Sequence, residues 1–76
     1  MSKLAPRIVS DPDICHGKPT VAGTRVRVVD VLEMLAGGMA MEEIVADFPY
    51  LSREDVLACL AYGAGASGGA AVRKAL

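Results

Sequence analysis

One stretch, HGKPTVAGTRVRV over residues 16–28, holds a histidine, a Gly-Lys pair, two threonines, a second glycine and two arginines. Residues of these types cradle phosphates, move protons or neutralise nucleic acid. A phosphate loop of the G-x-x-x-x-G-K-[ST] kind needs a hydroxyl directly after its lysine to reach Mg²⁺. Here Pro19 follows Lys18, and Pro12 stands where the first glycine belongs. Proline has no N–H to offer a phosphate. β-Branched residues come next, so no helix N-terminus follows to hold the anion. The pattern argues against nucleotide binding and fits a proline-stiffened turn entering a hairpin.

His16 is the only histidine. Its imidazole has the chemistry of a general base, and with Cys15 it offers two metal-ligand types. Adjacent residues of an extended segment point opposite ways, so the pair serves one ion poorly. No nucleophile, base and orienting group can be assembled around a single histidine. An exposed or capping loop residue is the default for His16. No catalytic, metal or cofactor site is expected, and the chain reads as non-enzymatic.

The cations remain. Arg7, Lys18, Arg25 and Arg27 lie in the first 28 residues, and Arg53 sits at the start of a later helical segment. Alternation puts Arg25 and Arg27 on one side of a strand and Val26 and Val28 on the other. This is either a solvated strand face or a basic ribbon, doubled by dimerisation, that meets DNA phosphates or an acidic protein. β-Ribbons do read DNA. These five cations are the candidate nucleic-acid or partner-binding residues.

The elements that position them follow from periodicity. Ile8-Val9 is a short strand, and Ser10-Asp11-Pro12-Asp13 is turn chemistry. Pro19 biases Lys18 toward extended backbone. Thr20 to Val28 predicts a hairpin that turns at Ala22-Gly23. The period then changes. Val28, Val31, Leu32 and Leu35 fall on one helical face. Asp30 with Glu33 resembles an N-terminal capping pair, and Gly37 or Gly38 suits a left-handed stop. Met41, Ile44, Val45 and Phe48 form the stripe of a second helix. Its first turn carries Glu42 and Glu43, where the helix dipole favours negative charge, and Pro49 ends it.

The third helix begins with Ser52 as N-cap and Asp55 as the return partner. Val56, Leu57, Leu60 and Cys59 are expected inward. The predicted bounds are 7–9 and 20–28 for the β element and 30–36, 41–48 and 52–63 for the helices. Residues 1–64 form the expected domain, and the Gly/Ala-rich 65–76 a flexible tail. The class is α+β, mostly α: a small N-terminal β-hairpin followed by three helices. Its last two helices resemble a helix-turn-helix. In DNA-binding use, Arg53, Glu54 and Asp55 would face base edges. Two of those three are acidic, which argues against autonomous groove binding.

Seventy-six residues make one domain with a thin core. Such chains lean on disulfides, metals or partner chains. Two widely spaced cysteines, Cys15 and Cys59, are no disulfide framework and suit a reducing, cytoplasmic setting. No apolar run approaches a membrane span, and the N-terminus lacks a secretory signal's apolar region. Partner chains are therefore the expected source of further burial, and a homodimer or higher oligomer is predicted. The strand edge at 25–28 is the expected contact. Formal net charge is −1. Lys3, Arg7, Lys18, Arg25 and Arg27 make the front basic, whereas seven acidic residues from Asp30 to Asp55 face only Arg53. Such asymmetry bears on partner choice.

From Ile8 to Ala64 the chain resembles the domain-of-unknown-function family 433. The resemblance rests on the GKP…GTR pair and on the block EEI…FP-Y-LS-R-ED…L-A-Y. It implies a small β-hairpin followed by a three-helix, homeodomain-like or helix-turn-helix bundle, and similarity to VapB-like antitoxins. Such a protein would bind and block a PIN-like ribonuclease toxin and, with it, promoter DNA. The alternatives are a stand-alone helix-turn-helix regulator and a structural or adaptor module. Several positions depart from the family's pattern. His16 stands where a small residue, often glycine, is usual, and Ala22 where a polar one is common. Arg27 replaces a common proline, Ala40 a Ser-type helix cap, and the glycine-rich tail a continuing helix.

Overall fold

A computed structural model of the chain describes residues 1–67. Three short strands, β1 (Ser2–Ala5), β2 (Ile8–Ser10) and β3 (Thr20–Val21), form an antiparallel sheet in the order β1-β2-β3. Helices α1 (Val28–Ala36), α2 (Met41–Asp47) and α3 (Arg53–Ser67) follow. The α+β, mostly α class holds, with one strand more than the hairpin anticipated. β1 has no β-branched residue to announce it. It forms because Pro6-Arg7 folds the chain back onto β2, pairing Ala5 with Ile8 and Lys3 with Val9. Arg7 takes φ +67°, the left-handed position after a proline where turns normally use glycine.

The second arm of the expected hairpin is corrected. Residues 24–28 are not a strand: Arg27 makes a single bridge to Thr20. The Val21 N–H donates to the Val26 carbonyl at 2.9 Å, and the Val28 N–H to the Pro19 carbonyl at 3.0 Å. The arm stops there because Val28 already starts α1. The turn itself lies where expected, with Gly23 at φ +79°. Thr24 closes it: its hydroxyl donates to the Val21 carbonyl and accepts from the Val26 N–H. With 25–28 bridged to β3, the free edge of the sheet is β1, not the segment expected to mediate pairing.

Helix ends follow local chemistry. α1 stops in a Schellman arrangement: Gly38 takes φ +101°, its N–H donates to the Leu35 carbonyl, and the Met39 N–H donates to the Met34 carbonyl. α3 opens on the reciprocal Ser52–Asp55 box. The Ser52 N–H donates to Asp55 Oδ2 at 2.9 Å, and the Asp55 N–H to Ser52 Oγ at 3.2 Å. α2 has only half of such a box: the Ala40 N–H donates to Glu43 Oε1, but alanine has no oxygen to return. α3 continues to Ser67, beyond the expected end at 63 and through Gly63 and Gly65. The rest of the Gly/Ala-rich tail lies outside the described residues.

The core joins all layers: Ile8 and Val21 from the sheet, Val28 and Val31 from α1, Ile44 from α2, Leu51 from the connection, and Val56 and Cys59 from α3. Leu57 is corrected. It is 46% exposed, because α3 turns the arc of Asp55, Val56, Cys59, Leu60 and Gly63 inward. Among the described residues no helix is long and apolar enough to cross a membrane.

Candidate functional site

The five candidate cations do not form one patch. Arg7, at the β1–β2 turn, reaches 48 residues along the chain to α3, where its Nη1 donates to Asp55 Oδ1 at 2.9 Å. Burial alone pushes the Asp55 carboxyl upward. The Ser52 hydrogen bonds and the Arg7 guanidinium outweigh it and hold the group below the usual carboxylate range. Arg27 is the N-cap residue of α1. Its Nε donates to Asp30 Oδ2 at 3.0 Å and its Nη2 to Asp30 Oδ1 at 2.8 Å. This fork-to-carboxylate pair replaces the expected Asp30–Glu33 capping pair. The hydrogen bonds raise the pKa of Arg27 and lower that of Asp30. Arg53 lies 3.6 Å from Glu42 across the α2–α3 corner, with both side chains exposed. Three of the five thus answer to carboxylates of their own chain.

Lys18 and Arg25 have no ion-pair partner among the described residues, and both are exposed. Local geometry brings the segments that carry them together: Thr20 bridges to Arg27 and the Val28 N–H donates to the Pro19 carbonyl. Ile14 is followed by Cys15 at φ +51°, His16 at φ +57° and Gly17 at φ +80°, a run of left-handed residues. Ser10 Oγ ties this run to β2 by donating to the Gly17 carbonyl. Cys15 Sγ donates to the Arg25 carbonyl at 3.4 Å. Cys15 and His16 are therefore not on the extended segment expected from sequence. The GKP and GTR motifs meet at the N-terminal end of α1, and each leaves one unpaired cation there.

Two grooves flank α1. On the Lys18 side, Pro19, Val28, Val29, Leu32 and Tyr62 line an open apolar groove of about 380 Å³. On the Arg25 side, a more polar groove of about 520 Å³ runs past Asp30, Glu33 and Phe48. The apolar groove was not visible in the sequence. Its one local signal is Val29, an apolar residue one step off the buried stripe of α1, which is 44% exposed. Among the described residues no group of three His, Cys, Asp or Glu side chains converges as metal ligands do.

Comparison with known proteins places this architecture. A crystal structure, at 2.00 Å resolution, of a DUF433 member protein from Anabaena variabilis ATCC 29413 is similar with a TM-score of 0.75 and 25% identity, over 95% of this chain and 70% of that one. The uncharacterized protein y4eO of Sinorhizobium fredii is 41% identical over 49 residues, 64% of this chain and 22% of its own length. The uncharacterized protein Rv2308 of Mycobacterium tuberculosis is 38% identical over 48 residues, 63% of this chain and 20% of its own. The chain thus spans about a fifth of the length of these curated relatives. A family model described as "Protein of unknown function (DUF433)" matches residues 8–63, from β2 into α3. With that match over most of the chain and a family member sharing the fold, the chain belongs to the DUF433 family.

Proposed function

We propose that this protein is a non-enzymatic, antitoxin-like module that acts by protein–protein contact, with an acidic PIN-like ribonuclease as its partner. The observation that carries this reading is the distribution of free cations. DNA affinity comes chiefly from Lys and Arg at phosphates, and each contact adds about 0.9 to the slope of log K against log salt. Among the described residues Arg7 and Arg27 are held by carboxylates and Arg53 lies 3.6 Å from one, which leaves Lys18 and Arg25 at the α1 N-terminus and Lys3 on β1. Three such cations supply a slope of only about 3, too little for a single chain to hold DNA at physiological salt. A few charges beside apolar surface suit a protein partner instead, where charge steers encounter and buried apolar contacts supply affinity.

The test is co-expression with the product of the neighbouring reading frame, followed by affinity capture at rising salt. A stable complex is expected, weakened by Lys18→Ala with Arg25→Ala and barely changed by Arg53→Ala. A second reading, a stand-alone regulator, is favoured by one observation: Arg53 stands exposed at the start of α3, behind the short α2–α3 break. Gel shifts with the chain alone separate the two. A salt slope steeper than about 4, abolished by Arg53→Ala, would put the regulator first.

A further inference from the structure

We draw no further inference here: the strongest candidate, the open apolar groove between α1 and α3 lined by Pro19, Val28, Val29, Leu32 and Tyr62, borders the Lys18 already assigned to the proposed partner contact, and nothing in the structure shows what covers it.

Discussion

Replacing Asp55 by alanine should cost more stability than any other single surface-chemistry change in this chain. Its carboxylate joins three segments: it accepts from the Ser52 N–H at 2.9 Å and from Arg7 Nη1 at 2.9 Å, and its own N–H donates to Ser52 Oγ. The Asp55 side chain is only 12% exposed, against 50% for Arg7. Removing it loses half of the α3 capping box, about 1 kcal/mol, and a well-shielded charge-assisted bond, about 1.5–2 kcal/mol. A total near 3 kcal/mol is a large part of the 4–11 kcal/mol typical for a domain this size. The thermal midpoint should fall by about 15 °C.

Arg7→Ala should cost less, about 1 kcal/mol, because its half-exposed guanidinium stays solvated when unpaired. Arg7→Gly should be the more stable of the two Arg7 variants by about 1 kcal/mol, since glycine takes φ +67° without strain. The carboxyl of Asp55 lies below its ordinary range in the folded state. Its contribution is therefore complete above the unfolded value near 4 and is lost as pH falls through the lower folded value. Asp55→Asn should flatten the acid limb of the stability curve. Urea unfolding of the Arg7→Ala, Asp55→Ala and double variants, followed across acid pH, measures all of this. Strict additivity in that cycle would refute the bridge between sheet and α3.

Three further outcomes are expected. His16→Gly should raise the thermal midpoint by about 5 °C, because φ +57° costs a side chain about 1 kcal/mol that glycine avoids; a lower midpoint would mean that the imidazole makes a contact of its own. Ala40→Ser should stabilise by about 1 kcal/mol in the same denaturation assay, since it completes the box that Glu43 already half forms; no gain would place the cap elsewhere. Burial pushes the Cys59 thiol up to about 11, with Asp55 adding to the effect. It should resist a thiol reagent at neutral pH until the protein unfolds, while the half-buried Cys15 reacts in the native state. Two equally fast thiols in the native protein would contradict the packing of α3.

The local chemistry of this chain was legible in its order of residues. The residues placed a turn at Ala22-Gly23, a stop for α1 at Gly37 or Gly38, and a Ser52 cap with Asp55 on α3. Each is settled by bonds spanning five residues or fewer. The stripes of α1 and α2 were equally plain, because a 3.6-residue period needs no knowledge of what it packs on. Residues distant in sequence escaped that logic. β1 exists only because β2 offers it an edge. Cys15 and His16 turn left-handed in a run anchored by Ser10 through Gly17.

The face of α3 was misjudged for a related reason. Its periodicity admits Leu57 as readily as Cys59, but the core formed with the sheet, α1 and α2 takes Val56 and Cys59 and leaves Leu57 exposed. The cations show the difference most clearly. Sequence alone established five candidate binding cations and an acidic middle segment. Only the tertiary structure decided that Arg7, Arg27 and Arg53 would meet carboxylates while Lys18 and Arg25 would not. Charge is a property of a residue, but whether a charge is free to bind depends on which neighbours the fold brings within a few ångströms.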